Sequence, residues 1–410
     1  MGTIVSFFRV LTMLLLTSFT CYAAEDTKNA LTEIIVTAIR VTNDDPAGTY
    51  TSLASNLRYN PIVELQSRGM PEAQSDVTVR GGLFENTGFK IGAATIIDPQ
   101  TGHYSIDLPI SSSASISNIA LGIDNALYGF NATMATIHYK LDQISPGGKF
   151  SVGLGNDSMN FQSLEGAIEN RQSSEESTTY KLGAARSSGD GTIDDGDHQF
   201  KRFNLQMQHT SDQIQTDFIF GYQDKFYAWP GAYTGFASYP ETDHTKTLLA
   251  LVNHKKETSN GWWEMAGFYR RLRDDYDYDR KTKESSLPGS FDHETRVYGA
   301  SIQARINARE VTWRLSSQLS ADELVYSTDL THGKFYSRSY LKTSIVPERT
   351  FFYGDNLSMR IRGGASFDWS NRDDSKILPL LGVTLSKEHE NGSKFASLEW
   401  SESSQLPGYT

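Results

Sequence analysis

Four aspartates, Asp190, Asp194, Asp195 and Asp197, fall among glycines in the stretch Ser-Ser-Gly-Asp-Gly-Thr-Ile-Asp-Asp-Gly-Asp at 187–197. Carboxylate and carbonyl oxygens in a pliable, glycine-rich setting suit calcium, although the spacing is not that of an EF-hand. The alternative is a solvated acidic loop. Further on, Tyr227, Trp229, Tyr233 and Phe236 crowd into residues 226–236. Their flat faces could pack a corrin, a catechol or a sugar, or simply one another. Near the N-terminus, Glu33, Ile34, Ile35, Val36, Thr37 and Ala38 form a short extended run. Such a run can be captured by strand addition to another protein, or it can be an ordinary first strand. The acid–tyrosine repeat at 274–279 reads as a soluble loop. His103, His138, His198 and His244 lack the spacing of a zinc site or a catalytic dyad. With no Ser-His-Asp, paired-acid or Cys-His arrangement, and no phosphate-cradling or dinucleotide motif around Gly153, the expectation is a protein that is not an enzyme.

Ahead of the extended run lie one arginine, Arg9, a short apolar core at 10–16, and small residues ending at Ala23 and Ala24. That order is a secretory signal over 1–24, too short to span a bilayer comfortably. Cleavage after Ala23 removes Cys21, the only cysteine, and leaves no disulfide framework. The chain has 410 residues and a net charge of -11, which disfavours nucleic acid as a partner. Its mean hydropathy of -0.43 argues against helical membrane spans.

Behind residues 25–45 the grammar divides. Residues 46–145 mix short helical and strand signals, whereas 146–410 is a run of about a dozen alternating segments. Val311, Trp313, Leu315 and Leu319 fall on one face of such a segment, with Thr312, Arg314, Ser316, Gln318 and Ser320 on the other. Phe203, Leu205 and Met207 oppose Arg202, Asn204, Gln206 and Gln208 in the same way. Breaks at 189–197, 227–243, 274–292 and 322–333 are long, and those at 211–213 and 308–309 are tight. Apolar-out, polar-in strands joined by unequal loops describe a transmembrane antiparallel β-barrel in outer-membrane lipid. The loop-like ending at 403–410, together with too few strands to enclose a plug, gives the expectation of a barrel incomplete at its C-terminus.

Asp76-Val77-Thr78-Val79-Arg80-Gly81-Gly82, then Asp98-Pro99-Gln100-Thr101-Gly102-His103, and then the strand at 116–121 with its Tyr128-Gly129 turn resemble the α+β plug of TonB-dependent outer-membrane receptors. Residues 33–38 then resemble the box offered to TonB, and the acidic loop looks like the calcium loop of vitamin B12 receptors. Two departures stand out: Ala120 where the family usually has glutamate, and Met134-Ala135 in place of paired glycines. The resemblance implies energy-coupled uptake of a scarce ligand such as cobalamin or an iron-siderophore. It also implies a TonB-type periplasmic partner, plug integrity resting on Arg80, Gly81, Gly82, Tyr128 and Gly129, and a place in the bacterial outer membrane. A passive porin-like or adhesin-like barrel with a degenerate plug is the alternative.

Overall fold

The computed structural model describes residues 52–57, 60–68, 72–110, 114–234, 239–281, 290–328, 336–354, 356–389 and 392–409. The signal segment, the extended run at 33–38 and Phe236 lie outside the described residues.

The first described region is a small α+β unit. Its elements are β1 (Val63–Arg68), β2 (Gln74–Val79), β3 (Thr87–Ile91), β4 (Ala94–Thr95), β5 (Ala114–Ala120), α1 (Gly122–Tyr128) and β6 (Ala135–Leu141). β1 and β2 form an antiparallel pair, and a four-stranded sheet runs in the order β4, β3, β6, β5, with β3 and β6 parallel. Val77, Val79, Phe89, Ile91, Ile96, Ile137 and Tyr139 close its core, and the Tyr139 hydroxyl is tied to the Leu53 carbonyl at 2.8 Å. In α1 the apolar residues Ile123, Ala126 and Leu127 follow helical spacing and pack against Val346 and Leu380 of the surrounding wall. The sequence reading of Tyr128-Gly129 as a turn after a strand is corrected here: Tyr128 is the last residue of α1, and Gly129 caps the helix by donating to the Asn125 carbonyl at 2.7 Å. Fully buried Asn125 secures that end, accepting from Thr136 Oγ1 at 2.7 Å and donating to the Ala132 carbonyl at 3.1 Å.

The rest is one antiparallel sheet of thirteen strands, each paired to its neighbour in sequence. In order they are β7 (Gly147–Leu154), β8 (Asn160–Arg171), β9 (Ser177–Gly189), β10 (His198–Ser211), β11 (Ile214–Ala228), β12 (Thr242–Thr258) and β13 (Gly261–Asp277), then β14 (Phe291–Ala308), β15 (Val311–Ser327), β16 (Ser337–Tyr353), β17 (Leu357–Ser370), β18 (Lys376–His389) and β19 (Gly392–Ser401). Side chains alternate across a strand, and in β10 that alternation buries Arg202, Asn204, Gln206 and Gln208 while leaving Phe203 and Leu205 outside. In β15 it buries Gln318 and Ser320 and exposes Trp313 and Leu319. The outer face is therefore apolar and the inner face polar, the reverse of a water-soluble sheet around its own core.

Connections at one end are brief, as at 212–213, 259–260 and 309–310, and those at the other end are long, as at 190–197, 229–241 and 278–290. Two readings change. The acid–tyrosine repeat begins inside β13, which runs to Asp277, and is not simply a loop. β8 escaped detection because Asn160 and Gln162 share the outward face with Leu164 and Ile168, so the alternation breaks. Among the described residues β7 and β19 are the outermost strands and do not pair with each other.

The wall encloses the α+β unit as a plug. Asn253 of β12 accepts from the Ala93 amide at 3.1 Å, Gln318 of β15 both accepts from and donates to the Thr95 backbone, and Gln208 of β10 accepts from the Ile144 amide at 2.8 Å. Two glycines permit the closest approaches. A Cβ on Gly221 would land on the Pro109 carbonyl oxygen, and one on Gly92, whose φ is 56°, would meet the Asn253 side chain. The polar inner wall is thus spent on plug backbone, which must be paired once it is removed from water.

Candidate functional site

At the long-loop end the plug presents the segment between β4 and β5. Asp98 shapes it as an Asx turn: its carboxylate accepts from the Gln100 amide at 3.1 Å and from Thr101 Oγ1 at 3.1 Å, and its own amide donates to Ser105 Oγ at 3.0 Å. This geometry pushes Gln100, His103 and Tyr104 against the wall. His103 Nδ1 lies 2.7 Å from Asp76 Oδ1 on β2, and its ring stacks on Phe84 at 4.4 Å. The Tyr104 hydroxyl donates to Asp243 Oδ2 on β12, an oxygen that also receives the Tyr227 hydroxyl at 2.7 Å. Burial, followed by the charge of Asp243, pushes the Tyr104 phenol well above its usual value, so it remains a donor. Gln100 Nε2 donates to Asp274 Oδ2 of β13 at 3.0 Å. Fully buried Arg270 donates to the Ile97 carbonyl at 2.9 Å and the Tyr104 carbonyl at 2.6 Å. Lys225 pairs with Asp107 at 2.5 Å.

The aromatic residues from the sequence reading divide here. Tyr227 belongs to β11 and is buried by its bond to Asp243, so it is part of the wall and not of a ligand loop. Trp229 starts the loop, with its amide on the Glu241 carbonyl at 3.1 Å. Tyr233 is half exposed. Its hydroxyl donates to Gln74 Oε1, and its ring meets His103 edge-on at 6.0 Å and Tyr276 at 5.2 Å. Tyr239 and Tyr278 pack beside them at 4.2 Å. His103, Tyr233, Tyr239, Tyr276 and Tyr278 thus line an aromatic, acid-edged mouth above the plug.

The acidic loop does not converge. Asp190 accepts from Ser158 Oγ at 2.5 Å, Asp195 pairs with Lys281 at 2.5 Å, Asp197 pairs with Arg280, and Asp194 is exposed. Among the described residues no group of three or more His, Cys, Asp or Glu side chains could share a metal ion. Lys281 and Arg280, from the loop after β13, provide counter-charge to two of the four acids.

The plug motif has a backbone role. Arg80 and Gly81 adopt φ of 52° and 72°, turning the chain out of β2, and Gly82 donates to the Val79 carbonyl at 3.0 Å. Met134 occupies the space beside Gly82, where a Cβ would lie 2.9 Å from its Cγ. At the departure marked by Ala120, which is buried, the charge comes instead from Asp124 on α1. Arg362 of β17 holds Asp124 at 2.8 Å and also pairs with Glu399 of β19, while Glu399 accepts from the Ile123 amide at 3.4 Å. The roles of Asp243, Asp274 and Arg270 escaped the sequence reading because their plug partners are more than a hundred residues distant. The one available signal was inward parity within an alternating strand.

No family model and no curated protein matches the chain. Solved structures do. The copper transporter OprC aligns with a TM-score of 0.62 at 12% identity, over 87% of this chain and 60% of that one. The ferric citrate transporter FecA aligns at 0.57 and 12%, over 87% and 61%. The ferric yersiniabactin uptake receptor FyuA from Yersinia pestis aligns at 0.54 and 14%, over 86% and 58%. The chain shares their fold and spans about three fifths of their length.

Proposed function

We propose that this chain is the plug and part of the barrel wall of a bacterial outer-membrane receptor for energy-coupled, TonB-dependent uptake of a scarce ligand. The observation that carries the reading is the combination of an apolar outer face with an inner face hydrogen-bonded to a folded stopper. A wall of this kind is built for lipid outside, and its inner polar groups are committed to the plug, not to an open channel. That commitment disfavours the passive porin reading. A stopper so bonded needs work to move it, and the extended run at 33–38 is a suitable handle for a TonB-type partner.

The mouth narrows the ligand class. Aromatic faces at Tyr233, Tyr239, Tyr276 and Tyr278, with His103 at their base, suit a flat chelate. An iron-siderophore or another metal chelate fits better than cobalamin, because the acids of the loop that suggested cobalamin do not converge and two of the four are already paired with Arg280 and Lys281. Deleting Ile34, Ile35 and Val36 should abolish uptake by cells and leave ligand capture at the surface intact. Uptake that persists after the deletion refutes energy coupling, and recovery of the protein in the soluble fraction refutes the membrane assignment.

A further inference from the structure

Several acids at the seam between plug and wall have basic neighbours, and Asp217 is covered instead by the amides of Gln206, Gln208 and Gln215. Asp107 has Lys225 at 2.5 Å, Asp322 has Arg338 at 3.1 Å, Asp76 has His103 at 2.7 Å, and Asp98 lies within the field of Arg270. Asp243 and Asp274 are both buried, stand as diagonal neighbours on the inward face of the β12–β13 pairing, and neither has an ion pair among the described residues. The Oδ2 atoms are satisfied, on Asp243 by Tyr104 and Tyr227 and on Asp274 by Gln100. The Oδ1 atoms of both are buried and meet no donor. A further group bears on the same spot. Thr245 stands directly opposite Asp274 in the β12–β13 register and two residues from Asp243 on the inward face, and its Oγ1 is fully buried without a partner. The charged neighbours are accounted for: Arg270 is engaged with plug carbonyls, Asp98 adds negative charge, and His293, opposite Asp274 on β14, is bonded to Ser327 Oγ at 2.9 Å.

Two adjacent carboxylates cannot readily both remain ionised in a buried site without positive charge beside them. We propose that Asp243 and Asp274 bind a hard cation of the calcium class through their Oδ1 atoms, with Thr245 Oγ1 as a neutral oxygen donor. Oxygen-only ligands of mixed charge are what such cations select. The cation fastens the plug's Asp98-to-Asp107 segment to the wall beneath the mouth, because the same two carboxylates hold Tyr104 and Gln100. This site is separate from the acidic loop at 190–197 and does not depend on the uptake reading.

The test uses the full chain purified in detergent and stripped with chelator, with terbium as the probe. Tyr104 and Tyr227 touch Asp243 and are placed to sensitise terbium emission. Saturable tyrosine-sensitised emission, displaced by calcium, is expected. Asp274→Asn should weaken terbium binding by at least about tenfold, as loss of a charged ligand does, while keeping the Gln100 bond. Thr245→Val should weaken it less, and a variant carrying Asp194→Asn and Asp195→Asn should bind as the parent does. The heat-modified gel mobility of each variant, compared with the parent, reports folding. The proposal is overturned by emission that ignores Asp274→Asn in a folded variant, by emission that disappears with the loop change, or by no saturable binding. That last result is what a single proton shared between the carboxyl groups would give.

Discussion

Arg362→Ala should loosen the plug helix without unfolding the wall. The Arg362 side chain is 5% exposed and sits between Asp124, at 39%, and Glu399, at 28%. Removing a fully buried ionic partner costs roughly 3–5 kcal/mol, and removing an exposed one costs at most about 1 kcal/mol. A buried cation between two half-open carboxylates falls between these limits, at about 2 kcal/mol. That corresponds to roughly a thirtyfold rise in the open population of α1. Amide hydrogen exchange reads this directly. The Asn125 and Gly129 amides, which donate to Leu121 and Asn125 within and at the end of the helix, should exchange about thirtyfold faster. The β3 and β6 amides should be unchanged. Arg349→Ala is the control, since it removes an exposed pair with Glu310 that does not touch the plug. The reasoning fails if α1 protection stays within about twofold of the parent, or if β3 and β6 loosen equally, which would indicate a general loss of stability.

Burial holds the Lys90 ammonium down to about 8 from 10.5, so the folded plug sheds that proton before the unfolded chain does. Plug stability should therefore rise with pH from about 8 to about 10, seen as a rising urea midpoint for plug protection, and Lys90→Met should flatten the rise. Burial likewise holds His138 down to about 3 from 6.5, so plug stability should fall as pH drops below about 6.5, and His138→Phe should blunt the fall. Gly221→Val drives a side chain onto the Pro109 carbonyl and should cost about 1–3 kcal/mol in plug retention, measured by protease release of the plug. Gly363→Ala, whose Cβ meets only Leu381 at an ordinary distance, should be neutral. His103→Leu leaves buried Asp76 without its imidazole and should lower plug melting by the equivalent of about 1–3 kcal/mol.

The wall was legible because alternation is a local property. Phe203 and Leu205 against Arg202 and Asn204 can be read without knowing any partner. The inward set could not be interpreted so simply. Arg270 sits on the polar inward face of its strand, yet its partners are the Ile97 and Tyr104 carbonyls, more than 160 residues away in sequence. The plug motif was visible at Arg80 and Gly81, whose left-handed backbone explains the residue choice at Gly81. The helical end at Tyr128 was not visible, since Gly129 marks a cap as readily as a turn. Tyr227 was placed in a loop because its strand continues past the point where apolar alternation stops, where burial against the plug replaces burial in lipid.

Strand length is not uniform around the wall. It climbs from 8 residues in β7 to 17 or 18 in each of β12 to β16, then drops to 10 in β19. About 9–11 residues suffice to cross the hydrocarbon layer, so the central strands overshoot it, β19 only matches it and β7 falls short of it. The rim is accordingly uneven among the described strands. Its tall stretch, β12 to β16, carries Asp243, Tyr276 and Asp274, so a bulky tag grafted at the top of those strands would stand nearer the aromatic mouth than one at the top of β8 or β18.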